Sequence, residues 1–414
     1  MKQIIVAGCG PAGMMAAIAA AREGVKVTIL EGMEKPGKKL LVTGNGRCNL
    51  TNLDPELARK YHSVSSPEIA NTWVQQVLSQ FSVADTLDFF HELGLLTADR
   101  GGYVYPYTSQ SSSVLELLLA ELRRLKVKLK FTEKIEKIEK TENGWKVHTG
   151  SWAYSCDSLI LCCGSKAAKN TGSDGSGYEL ACQAGHRISD VVPSLTALTG
   201  KEKWFSLCAG VRCHGRVTLH TKTVRWEKVA EDTGELQWTD NGISGIVVFQ
   251  VSRYAALALE RGQQVKAELD FLPETEEDRL AKLLCRGRER FPGGSAGEVF
   301  SGILPKKLLQ VCLEQNKIKP GCQMAALSEK QCLQLAKTMK HFLVPVTGVR
   351  SFDQCQVCAG GVSLTEVFPD TLESRLASGL YFAGEILDVD GPCGGYNLQW
   401  AWSSGYSAGK HAAV

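Results

Sequence analysis

The chain opens on an apolar run, "KQIIVAG", that stops at glycine; the alanine-rich stretch "GMMAAIAAAREG" runs on to Gly24, and a second β-branched run, "VKVTILE", follows. Short apolar runs bounded by glycine predict buried strands, and the long alanine-rich stretch between them predicts a helix. Strand, turn, helix, strand is how a parallel α/β sheet begins. "SLILCCGS" repeats the buried-strand pattern up to Gly164, and "GLYFAGE" predicts a strand from Leu380 to Ala383 that breaks at Gly384. Small residues and helical character mark the remainder, "GGYNLQWAWSSGYSAGK". Upstream, "KLKFTEKIEKIEKTENGWKVHTGSWAYSCDSLIL" predicts strands with a turn at "ENG".

Between about residues 191 and 345 the glycine-rich pattern vanishes. "GRVTLHTKTVRWEKVAEDTGELQWT" alternates and predicts a hairpin turning at "EDTG", "QVKAELDFLPE" adds a strand, and "TEEDRLAKLLCRGRERF", "PKKLLQVCLEQN" and "SEKQCLQLAKTMKHF" predict helices, the first and third opening on Thr275 and Ser328. Residues 1–190 and 346–414 are therefore expected to form one discontinuous domain, with 191–345 an insertion of a β part and a helical part. A length of 414 residues agrees with more than one core, since single cores stop growing near about 250–300 residues.

Composition narrows the class. With 44% apolar and 22% charged residues and a formal charge of +3, the chain reads as an ordinary globular protein with no nucleic-acid partner expected. No apolar run approaches about 18 residues and the N-terminus lacks an apolar leader with a cleavage site, so a cytoplasmic protein without membrane insertion is expected. The 15 cysteines and eight histidines show no zinc spacing, and no metal is expected. In a reducing compartment most such cysteines are small buried hydrophobes, the reading favoured for Cys162 and Cys163; Cys355 and Cys358 in "CQVC" have the spacing of a redox pair.

The first turn carries the chemistry. "GCGPAG" sets Gly8, Gly10 and Gly13 in G-x-G-x-x-G register between strand and helix, a turn that lets backbone approach a pyrophosphate at a helix N-terminus. Glu31 closes the second strand, 18 residues beyond Gly13, where an acid accepts from ribose hydroxyls. A strand reaching "GE" and a glycine bend into a helix at the chain's end favours FAD, because such a helix N-terminus faces the flavin's pyrimidine ring and its dipole stabilises negative charge there.

"GKKLLVTGNGRCNLTN" (residues 37–52) and "GLYFAGEILDVDGPCGGYNLQWAWSSGYSAG" carry a resemblance to the BaiN/YhiN-like family of NAD(P)/FAD-dependent oxidoreductases, which includes aminoacetone oxidase-like enzymes; "GISGIVVFQVS" and "AGGVSLTEV" are similar to two further family segments. Two departures stand out: a threonine-like position before "AGG" is Cys358 here, and Cys393 replaces a residue that is usually not cysteine. The resemblance implies a Rossmann-like, two-dinucleotide-binding-type FAD domain with an inserted β-barrel and a helical cap. It also implies that FAD is held by Gly8, Gly10, Pro11, Ala12, Gly13, Glu31 and Gly32, then by Lys38, Lys39, Leu40, Thr43, Gly44, Asn45, Arg47 and Asn49 along the loop. Ile135, Gly164, Gly384, Glu385, Asp390, Tyr396, Asn397 and Leu398 complete the implied set, with Asp388 and Asp390 otherwise turn-organising residues.

Tyr103, Tyr105 and Arg100 in "DRGGYVYPYTSQ" are the candidates for proton donor or orienter, in a segment that an ordinary packing loop would also explain. The activity the resemblance implies is reduction of a conjugated C=C bond in a small hydrophobic substrate such as a dehydro bile acid or steroid, with NADH or NADPH as transient donor, since one dinucleotide fingerprint is present. The alternative is oxidation of a small amine such as aminoacetone with peroxide release. A disulfide reductase using Cys355 and Cys358 lacks a second nicotinamide-binding segment, and an RNA-modifying protein lacks a strong basic patch.

Overall fold

The structure, a computed structural model, describes residues 1–414. The chain divides into two compact units, Met1–Val192 with Phe352–Val414, and Pro193–Ser351. The first unit starts with strand β1 (Gln3–Ala7), helix α1 (Pro11–Arg22) and strand β2 (Lys26–Leu30). Its main sheet has the order Leu380–Phe382, Ser158–Leu161, β1, β2, Lys128–Lys130, and every pairing is parallel. That arrangement accounts for the unbroken apolar runs, because both faces of a parallel sheet are covered.

Helix α1 has no polar face: Ala12 through Ala20 are all buried. The C-terminal helix, Tyr396–Ala413, lies along it. A Cβ on Gly405 would stand 2.5 Å from the Ala12 carbonyl oxygen, and one on Gly409 would stand 2.1 Å from that of Ala16. Alanines on one helix and glycines on the other thus form one feature, two backbones packed at contact distance.

Two three-stranded sheets also belong to this unit. Ile135–Thr141, Gly144–Thr149 and Ala153–Cys156 form an antiparallel meander that turns at Glu142–Asn143. Thr51–Asn52, Tyr103–Pro106 and Thr97–Arg100 form the other, also antiparallel.

His186 is the one buried titratable base of this unit that calls for explanation. Its Nε2 lies 2.7 Å from Ser374 Oγ, and its Nδ1 lies 3.3 Å from a Glu366 oxygen. The order Ser, His, Glu suggests a nucleophile, but Ser374 Oγ also accepts from the backbone N–H of Leu376 and Ala377, and all three side chains are buried. It is a turn brace. Burial lowers the His186 pKa and Glu366 only partly offsets this. The folded state therefore binds fewer protons than the unfolded state below the ordinary histidine pKa of about 6.5, and stability declines as pH falls through that value. Urea unfolding from pH 8 to pH 5 is expected to show a stability slope up to about 1.4 kcal/mol per pH unit steeper than in His186→Gln. Equal slopes in the two proteins would refute it.

The second unit is built on seven antiparallel strands in the order Phe342–Val346, Gln264–Asp270, Arg212–Lys222, Trp226–Thr239, Gly242–Ser244, Leu198–Thr199, Gly348–Val349. Both outer strands come from one stretch of chain with Thr347 between them, so the sheet curls round toward itself. The turn expected at "EDTG" is not there. Residues 231–234 continue the strand, with Asp232 opposite Val217 and Gly234 opposite Gly215, and the hairpin turns at 223–225 instead. A Cβ on Gly234 would stand 3.9 Å from Val247 of the helix Ile246–Glu260, an ordinary contact, so nothing at this strand position demands glycine. Three longer helices follow, Glu277–Arg290, Lys306–Gln315 and Glu329–Lys340, with the short helix Ala296–Val299 between the first two. Ser328 caps the last through a capping box with Gln331, whereas the first is preceded by Glu276, and Thr275 falls outside it.

Candidate active site

The glycine turn has the shape its spacing implies. Gly8 has φ +101°, and a Cβ on it would lie 2.6 Å from the Cys162 carbonyl oxygen; a Cβ on Gly13 would lie 2.0 Å from the Gly8 carbonyl oxygen. Gly10 differs: a Cβ there would meet nothing within 4 Å. Gly8 and Gly13 are packed by protein, whereas Gly10 opens onto free space at the N-terminus of α1, where Pro11 takes the first helical position and Ala12 and Gly13 begin the N–H groups that have no intrahelical acceptor.

Glu31 sits beneath this turn. Its carboxylate accepts from Cys9 N–H at 2.7 Å and from Met33 N–H at 2.8 Å. A carboxylate has about four acceptor positions, so each oxygen keeps one for a ribose hydroxyl. Gly32 packs on Lys134, and the backbone N–H groups of Thr132 and Glu133 reach the Met33 and Glu31 carbonyls, which brings the start of the Ile135 strand beside the same edge. Gly164 adopts φ +73° against Ser173 at the end of the Ser158–Leu161 strand.

The loop 37–52 is more regular than its composition suggests. Gly37 in the left-handed region starts a short helix, Lys38–Val42, and Thr43–Gly46 continues as a tight turn with Gly44 and Asn45 both at positive φ. Leu40 is fully buried, and Thr43 Oγ1 donates to the Leu40 carbonyl at 2.7 Å. Lys38 is half-buried. Lys39 is answered within the protein, 2.5 Å from Glu385, which also accepts from Ser165 Oγ at 3.0 Å. Asn49 donates its amide to the Thr51 and Val104 carbonyls, bracing the sheet edge.

That edge is where the predicted cofactor loop meets the predicted catalytic segment. Thr51–Asn52 pairs with Val104 and Tyr103, and Arg100 stands opposite Tyr103 on the next strand. The Tyr105 ring lies on Gly44 and receives two guanidiniums, Arg47 at 5.6 Å and Arg100 at 5.4 Å from its centroid. Arg100 also donates to Ser109 Oγ. Tyr103, 42% exposed, packs its ring on Gly394.

Gly394 and Gly395, both at positive φ, make the bend that opens the C-terminal helix. Tyr396, Asn397 and Leu398 form its first turn. Asn397 clamps the bend, donating to the Gly391 carbonyl and accepting from Gly391 N–H. Leu398 is buried. The Tyr396 hydroxyl donates to Asp54 at 2.8 Å, and burial, this bond and nearby Tyr103 raise the phenol well above the ordinary tyrosine range. Gly384 stands against Ala12 and donates its N–H to Ser404 Oγ. Asp390 is buried and pairs its backbone with His62, while Asp388 accepts four bonds from Ser63, Val64 and Ser65.

Asp54 and Ser165 were not singled out from the sequence. Each lies just beyond a motif, Asp54 after "NLTN" and Ser165 after Gly164, and adjacency was the only available signal. The loop is further tied to the C-terminal helix by Trp402 Nε1 donating to the Leu50 carbonyl and by Thr51 Oγ1 donating to Gln399. The open space at Gly10, the unanswered N–H groups of α1 and the spare acceptor positions of Glu31 fit an FAD-type dinucleotide.

The chain matches the HI0933-like protein Rossmann domain family over residues 2–411. It is 46% identical to the 3-dehydro-bile acid delta(4,6)-reductase of Clostridium scindens, covering 100% of this chain and 99% of that protein. It is 27% identical to the ribosomal RNA dihydrouridine synthase of Escherichia coli, over 98% and 96% of the two chains. The 3-ketosteroid-delta4-(5alpha)-dehydrogenase of Rhodococcus jostii superposes with a TM-score of 0.51 at 13% identity, covering 100% of this chain and 97% of that one, a likeness of fold. No helix is long and apolar enough to cross a membrane. The BaiN/YhiN-like resemblance is borne out: the chain belongs to the HI0933-like family and is an oxidoreductase built on that family's Rossmann domain.

Proposed function

We propose that this protein is an FAD-dependent reductase of a C=C bond conjugated to a carbonyl, acting on a small hydrophobic substrate of the dehydro-bile-acid or ketosteroid class with NADH or NADPH as donor. The observation that carries this reading is the junction of the dinucleotide loop with the Tyr103–Tyr105–Arg100 hairpin at the first turn of the C-terminal helix. The names of the relatives support the reaction type, since both a Δ4,6 dienone and uracil present a C=C bond conjugated to a carbonyl.

FAD, when bound, supplies the hydride chemistry. Gly10 and the first N–H groups of α1 would hold its pyrophosphate in the turn that Gly8 and Gly13 shape, Glu31 would hold its ribose, and the loop from Lys38 to Asn49 would lie along it. Tyr103 holds the proton for the carbon next to the substrate carbonyl: its phenol is half-exposed, whereas that of Tyr396 is committed to Asp54. Arg47, exposed in the turn after Thr43–Gly46, and Arg100, exposed at the end of the strand Thr97–Arg100, place positive charge where the carbonyl oxygen gains electron density. Tyr105 keeps them in place by cation–π contact.

Anaerobic stopped-flow absorbance at the flavin band tests this. NADH or NADPH is expected to bleach the band and a 3-keto-4,6-diene bile acid to restore it, with slow return in air alone. No bleaching by either nicotinamide would sink the reductase reading. A second reading, reduction of a uridine in ribosomal RNA, is favoured only by the name of the more distant relative, and the same bleached protein mixed with ribosomal RNA separates the two.

A further inference from the structure

Cys355 and Cys358 stand apart from the other cysteines. Together with Ala167 they form a small buried cluster of their own, separate from the two main cores, with Phe352 and Val191 against it. A short turn, Phe352–Gln354, leads to Cys355, and Cys358 lies in the strand Val357–Ala359, so the chain brings both cysteines into this one cluster. Cys355 Sγ also donates to the Phe352 carbonyl at 3.3 Å. On the other side of Cys358 lies the Ser165 hydroxyl, which donates to Glu385, with the Lys39 ammonium paired to the same carboxylate.

This setting separates Cys358 chemically. Burial pushes the thiols of Cys9, Cys48, Cys156 and Cys163 up to about 12. The Cys358 thiol is instead lowered, first by the Cys355 side chain beside it, against burial, then by Ser165 and Lys39, with Glu385 opposing. A thiol that ionises more readily than its neighbours, with a second cysteine beside it, is the arrangement that oxidises to a disulfide.

We propose that Cys355 and Cys358 form a modification site for small hydroperoxides, a dithiol that closes to a disulfide beside the Lys39–Ser165–Glu385 cluster and reopens under a thiol reductant. The chemistry balances. Cys358 thiolate attacks the peroxide O–O bond, giving Cys358 sulfenic acid and hydroxide; Cys355 thiol then displaces the sulfenic oxygen as water and forms the S–S bond. Two thiols are oxidised, one hydrogen peroxide is reduced to two waters once the hydroxide takes up a proton, and exchange with a small dithiol reverses the step. Cys355 and Cys358 are buried, at 4% and 5% exposure, so the reaction is expected to favour a reagent of peroxide size over bulky ones.

The test treats the whole protein with a few equivalents of hydrogen peroxide, denatures it in alkylating agent and maps every cysteine by mass spectrometry, a readout independent of any flavin signal. The expected result is a 355–358 cross-linked peptide, with loss of free thiol about tenfold greater at these positions than at Cys9, Cys48 or Cys156, and full return after dithiothreitol. In Cys355→Ser, Cys358 is expected to stop at a sulfenic acid that dimedone traps, and Lys39→Gln is expected to slow the reaction several-fold. If exposed Cys182 oxidises while Cys355 and Cys358 remain free thiols, or if Lys39→Gln leaves their rate unchanged, the proposal is overturned.

Discussion

Gly10→Ala is expected to give a folded protein that loses its flavin. Position 10 precedes α1 with φ −87° and ψ −175°, which any residue adopts, and a Cβ there meets no protein atom within 4 Å. The apoprotein is therefore expected to change in stability by less than about 1 kcal/mol, the scale of a changed helix cap. The same methyl fills the space through which a pyrophosphate approaches the unanswered N–H groups, so FAD affinity is expected to fall at least about tenfold, or about 1.4 kcal/mol. Gly13→Ala is the contrasting case: its Cβ would sit 2.0 Å from the Gly8 carbonyl oxygen, and the turn itself must move. Flavin-to-protein absorbance after gel filtration, with thermal melts of the stripped proteins, checks both. A yellow Gly10→Ala protein with unchanged affinity would mean that this turn is not the pyrophosphate cradle.

Tyr103→Phe is expected to slow reduction of the conjugated substrate about a hundredfold or more, the usual scale for losing a positioned proton donor. Bleaching of the flavin band by the nicotinamide donor, which needs no proton from Tyr103, is expected to stay at its wild-type rate. Phenylalanine keeps the ring that packs on Gly394, so the bend into the C-terminal helix is preserved. Tyr396→Phe is expected to do less to catalysis and more to stability, because it leaves the Asp54 carboxylate without the phenol it accepts from. Substrate turnover at the wild-type rate in Tyr103→Phe would remove it from the proton path.

Much of the first unit was legible because local sequence and environment agree there. β1, α1 and β2 could be read from apolar runs that end at glycine, since strands buried on both faces need no alternation and a helix buried on both sides needs no polar stripe. Gly8 and Gly13 were legible for a similar reason: each has a conformation or a contact that a side chain would break. The hairpin in the second unit was misplaced because "EDTG" has the composition of a turn, whereas pairing with Val217 and Gly215 on the neighbouring strand keeps these residues extended.

Sequence alone settled the strand–turn–helix–strand opening, the parallel α/β class and the dinucleotide turn, because these depend on residues close in the chain and on Gly8 and Gly13, where a side chain would collide with backbone. Tertiary structure alone decided which distant groups meet. Lys39 finds Glu385, Asp54 finds Tyr396, Arg47 and Arg100 share one tyrosine ring, and Cys358 gains Ser165 and Lys39 as neighbours. Such pairs span tens to hundreds of residues, and no local pattern encodes them. Asp54 reaches Tyr396 on the last helix, which lies on the first because Gly405 and Gly409 leave its backbone free to approach Ala12 and Ala16.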